Sequence, residues 1–255
     1  MVELPEFTTS WIENWPQAIT AMSFPHVGIR LTTAQVHAIG YVNGIDRHCF
    51  EQGSEASLVD LARTLDDAFI AFPRGAFVRL GSRSPKDTPL GVSTGCRAMT
   101  GLAAVRLLTA GSRRIAFDLR RCLRHHYPPW IFLRAWQEID GYSEFRCFWL
   151  NGRLAGASQY YHRYVLPAQQ RMQFIEQTCI AITSFVPRFR SAWGQCDVVF
   201  DVWLATAAFD CKVILIELNP CVPATDSCLF SWQDQDFDDS LRIRTEAGIE
   251  SYKLS

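Results

Sequence analysis

The hydrophobic residues in the first half of the chain predict an alternation of helices and short strands. Between Glu55 and Phe72, leucine, alanine and phenylalanine recur every three or four positions, which indicates an amphipathic helix that ends before Pro73. The hydrophobic run Ala76–Leu80 is typical of a strand, and the glycine and serine residues after it predict a loop. Two further helices are predicted over 100–108 and 113–126.

The second half of the chain predicts mainly strands. The runs Glu144–Leu150 and Arg153–Tyr161 are separated by an Asn-Gly dipeptide, which strongly favours a tight hairpin turn. These two runs should therefore pair as antiparallel strands. After Pro220 the chain becomes polar, and the region from Asp234 onward is predicted to be an irregular surface tail. Further strands are predicted over 130–136, 197–204 and 212–218, and a long helix over 169–185.

The composition indicates a globular protein without a strong charge preference. Hydrophobic residues make up 48% of the 255 residues and charged residues 20%, which allows a large buried core. The formal net charge of -1 provides no field that would attract nucleic acid or an anionic membrane. We expect a single domain, with N-terminal subdomains over about 1–128, a C-terminal subdomain over about 129–235 and a tail over 236–255.

The pattern of cysteines and the first 22 residues favour a cytoplasmic protein. The nine cysteines are scattered and never spaced as C-x-x-C, which indicates reduced thiols, and the six histidines are not clustered with them as zinc sites usually require. The segment Met1–Met22 lacks the features of a secretory signal. No apolar stretch approaches the roughly 18 residues needed to span a membrane.

Polar side chains interrupt the last two predicted strands. Asp201 follows a buried-looking run, and Glu217 and Asn219 are two residues apart, so on a strand they share one face. Carboxylates inside buried strands are unfavourable unless they are paired or bind a metal. If Asp201 lies opposite the other two, three oxygen ligands converge, which suits magnesium. The alternative is that these acids lie at strand ends and face water, and the spacing alone leaves both open.

Three arginines in predicted strands are candidates for binding phosphate. Arg79, Arg134 and Arg146 each interrupt a hydrophobic run, and arginine on a rigid strand is well suited to grip a phosphate. For each one, the alternative is a surface position or an internal ion pair, such as one between Arg146 and Glu144. No P-loop and no G-x-G-x-x-G segment follows a predicted strand.

Several short segments resemble the motifs of the cell-division-cycle protein 123 (D123) family, in the same order. FVRLGSRSPKD, at 77–87, resembles the family's F-P-K-L-N-W-S-S-P-K-D segment. EFRCFWLNGRLAGASQ, at 144–159, resembles its E-F-R-C-F-V hairpin and I-S-Q ending. The resemblance covers roughly residues 11–235. Further similar segments are LRAW at 133–136, FDVW at 200–203, IELNP at 216–220 and TDSCLFSW at 225–232.

The resemblance implies an α+β fold of the ATP-grasp type, in which two α/β subdomains clasp a nucleotide between antiparallel sheets. It also implies ATP and Mg²⁺ as ligands. The chain departs from the family pattern where Arg79 replaces a lysine, Gly81-Ser82 replaces Asn-Trp and Tyr160-Tyr161 replaces Arg-Asp. The site residues implied are Arg79 and Arg134 for the ATP phosphates, Arg146 for the terminal phosphate, the segment after Trp136 for the adenine hinge, and Asp201, Glu217 and Asn219 for magnesium.

Three functions are compatible with this resemblance. Eukaryotic members of the family help to assemble translation initiation factor 2 by binding its gamma subunit, which implies an ATP-bound assembly chaperone with a similar partner. An ATP-dependent carboxylate-amine ligase that forms an acyl phosphate is the alternative, and a binding module without nucleotide is a third. The acidic stretch Gln233–Asp239 is either a surface for a basic partner or a solvated face.

Overall fold

The computed structural model describes residues 6–166, 171–194, 196–207 and 210–254. The chain divides into two compact units, one built on Pro25–Gln137 and the other on Thr9–Phe24 with the chain from Glu138 onward. The helices are α1 (Gln17–Thr20), α2 (Thr33–Asn43), α3 (Glu55–Phe69), α4 (Pro89–Thr94), α5 (Gly101–Leu108), α6 (Arg113–Arg124) and α7 (Arg171–Trp193). The strands are β1 (His26–Arg30), β2 (Ala76–Leu80), β3 (Arg97–Ala98), β4 (Trp130–Ala135), β5 (Glu144–Leu150), β6 (Arg153–Gln159), β7 (Val198–Ala207), β8 (Asp210–Pro220), β9 (Ser240–Thr245) and β10 (Gly248–Lys253).

The first unit is a four-stranded antiparallel sheet in the order β1-β4-β2-β3, with a helical layer on one face. Val78 and Leu133, which pair across β2 and β4, are fully buried in the core that this face shares with the helices. Because side chains alternate along a strand, Arg79 and Arg134 lie on the opposite face. The predicted strand Ala76–Leu80 is confirmed, and so are the three predicted helices. The helices predicted over 55–72 and 113–126 end two or three residues earlier than expected, and the one predicted over 100–108 begins one residue later.

Local sequence signals explain where the helices of this unit begin. The hydroxyl of Thr32 accepts a hydrogen bond from the Gln35 amide, and the Gln35 side chain accepts one from the Thr32 amide, which is a capping box at the start of α2. At the start of α6 the hydroxyl of Ser112 accepts a hydrogen bond from the Ile115 amide, without the reciprocal bond. These caps satisfy amides that the first helical turn leaves without a partner.

The second unit is a six-stranded sheet in the order β10-β9-β6-β5-β7-β8. Neighbouring strands are antiparallel except β6 and β9, which are parallel. The predicted hairpin is confirmed: β5 and β6 join through Asn151 and Gly152, whose φ angles of 52° and 72° are those of a tight turn in the left-handed region. Helix α7 covers one face, where the rings of Phe189 and Phe200 stack with centroids 4.1 Å apart.

Two sequence predictions need correction in this unit. The region after Pro220 is not irregular throughout, because β9 and β10 form a hairpin at the edge of the sheet, and Leu241 and Ile243 of β9 are buried. The helix predicted to end at Phe185 continues to Trp193, with Pro187 inside it. The predicted start of this helix, residues 169 and 170, lies outside the described part of the chain.

A second hydrophobic cluster lies on the face of the six-stranded sheet opposite α7. It is built by aromatic rings from β5 and from the segment before β9, and Phe148 contacts three of them. Its members are Phe148, Val199 and Phe230, which are buried, and Leu150, Trp232 and Phe237, which are partly buried. Among the described residues, no helix combines the length and the hydropathy that a transmembrane segment requires.

Candidate functional site

The three residues predicted to bind magnesium come together on the face of the six-stranded sheet that is opposite α7. Asp201 of β7 pairs with Glu217 of β8, and Val199 pairs with Asn219. The buried side chain of Leu218, between Glu217 and Asn219, points to the α7 face. Asp201 therefore lies directly opposite Glu217 and diagonal to Asn219 on the same face of the sheet, and the binding of magnesium by these residues stays a prediction.

A β-bulge lies at this point of the sheet. The pairing shifts between Asp201 and Val202, because Val202 faces Leu215 and Ile216 has no counterpart on β7. Bulges bend a strand and redirect its side chains, and they are frequent beside functional sites. The bulge therefore interrupts the regular alternation of side chains between the two faces of β8 immediately before Glu217.

Arg146 holds the carboxylate of Asp201 at two points. The two residues pair across β5 and β7, and the Nε and Nη2 atoms of Arg146 donate hydrogen bonds of 2.8 Å to Oδ1 and Oδ2 of Asp201. Both side chains are buried, at 6% and 0% exposure. The Nη1 atom donates to the backbone carbonyl of Asp226 at 2.9 Å. The sequence leaves open an internal ion pair for Arg146, with Glu144 as an example, and the structure shows such a pair with Asp201 instead.

Two carboxylates, those of Asp201 and Glu217, lie close together in this cluster and affect each other's charge. Burial raises the pKa of Asp201 to about 6, Arg146 opposes this change, and the nearby Glu217 adds to it. The amide nitrogen of Asn219 lies 3.2 Å from Oδ2 of Asp201 and 3.5 Å from Oε1 of Glu217. The amide thus bridges two acidic groups that would otherwise repel each other.

A cleft of about 340 Å³ opens beside this cluster within the second unit. Its lining includes Arg146, Tyr160, Tyr161 and Asp226. The Arg146 guanidinium lies 4.9 Å from the centroid of the Tyr160 ring. The role of Asp226 as a backbone acceptor for Arg146 was not predicted, although the TDSCLFSW segment that carries it is separated by only four residues from β8, the strand of Glu217 and Asn219.

The two arginines of the first unit lie on one face of its sheet. Arg79 of β2 pairs with Phe132 and Arg134 of β4 pairs with Phe77, and both arginines are only 3% exposed. The guanidinium of Arg79 donates hydrogen bonds of 3.0 Å to the carbonyls of Leu80 and Ser82. Arg79 is thereby tied to the loop that follows β2.

Trp136, the residue before the predicted adenine hinge, follows β4 directly. Its backbone N–H donates to the carbonyl of Gly75 at 3.3 Å, and the guanidinium of Arg97 lies 5.4 Å from its ring centroid. The indole also approaches Gly95, where a Cβ atom would lie 2.9 Å from the ring. The hinge assignment stays a prediction.

The acidic stretch Gln233–Asp239 is paired with arginines of the same unit. Asp236 and Asp238 both contact the guanidinium of Arg242, and Asp239 contacts Arg153. Arg242 in turn lies over the Phe230 ring, 4.0 Å from its centroid. These aspartates therefore have cationic partners in the folded chain, and their role as a partner surface stays a prediction.

The fold defines the class: this is an α+β protein with an ATP-grasp-like fold, as the resemblance implied. The chain belongs to the D123 family, which its sequence matches over residues 44–250. The structure is similar to that of Cdc123 from Schizosaccharomyces pombe, with a TM-score of 0.67, 20% identity and 89% of each chain covered.

Two curated relatives are described as translation initiation factor eIF2 assembly proteins. The one from Schizosaccharomyces pombe is 26% identical over 186 residues, which are 68% of this chain and 56% of the relative. The one from Xenopus laevis is 26% identical over 179 residues, 67% of this chain and 52% of the relative. The chain thus spans about half the length of these relatives.

Proposed function

We propose that this protein binds ATP together with magnesium and acts as an assembly chaperone for a partner resembling translation initiation factor 2. The observation that carries the nucleotide proposal is the cluster of Asp201, Glu217 and Asn219 beside Arg146. It combines oxygen donors suited to magnesium with a guanidinium suited to phosphate. Membership of the D123 family supports the same reading.

The donor set fits magnesium. Asp201 and Glu217 are neighbouring carboxylates whose mutual repulsion a divalent cation would relieve. Burial raises the pKa of Asp201, and the proximity of Glu217 adds to that rise. Asn219 presents its amide nitrogen to both acids, and rotation of this amide would offer its oxygen as a third ligand. A bound magnesium ion would neutralise phosphate charge. The protein's own contribution is to keep Asp201 ionised and oriented through Arg146.

Arg79 and Arg134 are proposed to contact phosphates of the nucleotide, and the segment after Trp136 to contact its adenine. Support comes from the charge of both arginines and from their shared face on a rigid sheet. The hydrogen bonds from Arg79 to two backbone carbonyls fix its guanidinium in a defined orientation. A fixed guanidinium loses less conformational entropy when it binds phosphate.

The partner proposal rests on the curated relatives. Both are described as assembly proteins for translation initiation factor eIF2. We infer a partner similar to the gamma subunit of that factor, and hence a cytoplasmic location. ATP is then a bound ligand that shapes the surface offered to the partner, and its turnover is not required.

Two measurements test this proposal. Calorimetry of the purified protein with ATP should show binding in magnesium that weakens strongly when EDTA replaces the metal. A pull-down with the purified gamma subunit should then recover the protein more efficiently in the presence of ATP and magnesium. Absence of ATP binding would remove the nucleotide proposal. Release of ADP with pooled metabolites, without partner binding, would replace the chaperone by a ligase.

A further inference from the structure

His162, Asp226 and Cys228 form a second group of possible metal ligands, on the wall of the cleft. One ligand atom from each of these residues lies within 4.8 Å of the others. All three side chains line the same cleft of about 340 Å³. His162 follows β6 and the other two residues belong to the TDSCLFSW segment, so no short sequence spacing indicated the group.

The imidazole of His162 is oriented by the backbone. Its Nδ1 atom lies 3.3 Å from the carbonyl oxygen of Tyr160. Because a carbonyl only accepts hydrogen bonds, this contact is satisfied when Nδ1 carries the proton, which leaves the lone pair on Nε2. Metal-binding histidines commonly donate their other N–H to a backbone carbonyl in this way.

Asp226 and Cys228 are held together by their own turn. The backbone N–H of Cys228 donates to Oδ1 of Asp226 at 2.8 Å. The Sγ atom of Cys228 lies 3.8 Å from the carbonyl oxygen of Tyr160, the same atom that orients His162. The Asp226 carbonyl also accepts a hydrogen bond from Arg146, which anchors the turn to β5. Thiol, carboxylate and imidazole therefore converge from two fixed segments.

We propose that Nε2 of His162, the carboxylate of Asp226 and the thiolate of Cys228 bind one zinc ion or a similar borderline-soft divalent metal. Sulfur and nitrogen ligands select zinc over magnesium, whereas the cluster at Asp201 and Glu217 offers oxygen alone. Three protein ligands leave one position of a tetrahedral ion to the cleft. The thiolate and the carboxylate together balance the charge of the ion.

Cobalt(II) provides the test, because cobalt bound to a thiolate gives a charge-transfer band in the near ultraviolet. The tag-free protein should bind one equivalent of Co²⁺ with this band, and Zn²⁺ should displace it. Cys228→Ser should abolish the band, and His162→Ala should weaken Co²⁺ binding by about tenfold or more. The matched control is Cys196→Ser, which removes an exposed cysteine and should leave the band intact.

Glu217→Gln separates this site from the proposed magnesium site. This variant should keep the cobalt band, since Glu217 is not among the three proposed ligands. The band should be present even if the variant no longer binds ATP. A band that survives in Cys228→Ser, or that disappears in Cys196→Ser, would overturn the proposal. So would the absence of stoichiometric Co²⁺ and Zn²⁺ binding to the wild-type protein.

Discussion

Arg146 and Asp201 form a buried ion pair with two parallel hydrogen bonds of 2.8 Å across adjacent strands of the second unit. Such a pair is costly to desolvate, and its partners depend on each other because either one alone would be an uncompensated buried charge. The pair also orients the carboxylate that faces Glu217, and it thereby connects the stability of the sheet to the geometry of the proposed metal site.

Replacing Arg146 by Ala should therefore destabilise the folded protein by about 3–5 kcal/mol, because Asp201 would stay buried without its guanidinium. Urea unfolding followed by tryptophan fluorescence measures the change. The matched control is the double variant Arg146→Met with Asp201→Leu, which removes both charges and should recover a large part of the loss. A double variant no more stable than Arg146→Ala would contradict the importance of the unpaired charge.

Glu217→Gln should weaken the binding of magnesium-ATP by about tenfold or more while the protein stays folded. The substitution keeps the shape of the side chain and removes a carboxylate whose interaction with a divalent cation is a dominant local charge effect. Calorimetry in magnesium and in EDTA separates the metal-dependent part. Glu176→Gln, at an exposed carboxylate on α7, is the control and should bind like the wild type. Equal affinities in the two variants would remove Glu217 from the site.

Arg79→Ala and Arg134→Ala should each reduce ATP affinity by about 1.5–3 kcal/mol, the usual range for hydrogen bonds to charged groups. Adenosine binding should be unaffected, because adenosine has no phosphate. Arg106→Ala, at an exposed arginine on α5, is the control. Since Arg79 also holds two loop carbonyls, urea unfolding must show that its variant is folded. Equal losses for adenosine and ATP would assign these arginines to another role.

The sequence predicted those features of the fold and site that depend on local pattern. The Asn151-Gly152 dipeptide identified the β5–β6 hairpin because few residues adopt positive φ at both turn positions. The placement of Glu217 and Asn219 on one face followed from the two-residue repeat of a strand. Neither required knowledge of contacts between distant segments.

Features that depend on distant pairing could not be predicted. The partner of Arg146 is set by the register between β5 and β7, which are 55 residues apart at the ion pair. The strand β9 had a local signal, since Leu241 and Ile243 alternate with arginines. The prediction of an irregular tail rested on the acidic stretch before β9 and did not use this alternation. Only the structure shows that Arg242 neutralises Asp236 and Asp238.

The Asp236 contact with Arg242 should make stability depend on pH. Burial acts to raise the pKa of Asp236, but the hydrogen bonds from Arg242 and from the Ser231 amide outweigh it and lower the pKa below 3.8. A carboxyl whose pKa is lowered by folding stabilises the folded state above the unfolded pKa, and this contribution is lost as the pH falls through the folded pKa.

Asp236→Asn should therefore be less stable than the wild type at neutral pH, and the difference should shrink as the pH falls below about 4. Urea unfolding at a series of pH values measures it. The control is Asp234→Asn, at an exposed aspartate of the same stretch, which should show no such convergence. If the difference in the free energy of unfolding between the wild type and Asp236→Asn stayed constant down to low pH, the charge of Asp236 would not contribute to stability.

The hairpin formed by β9 and β10 should be essential to the second unit. Leu241 is fully buried on β9, which extends the sheet by pairing with β6, whereas Ile249 on β10 is 51% exposed. Leu241→Ala removes buried methyl groups and leaves a cavity, so it should destabilise the protein by about 2–5 kcal/mol. Ile249→Ala removes exposed methyl groups in the same hairpin and should change stability by less than about 0.5 kcal/mol. Urea unfolding of both variants measures the contrast. If the region were an irregular surface tail, the two substitutions would be equally harmless, and that result would contradict the paired hairpin.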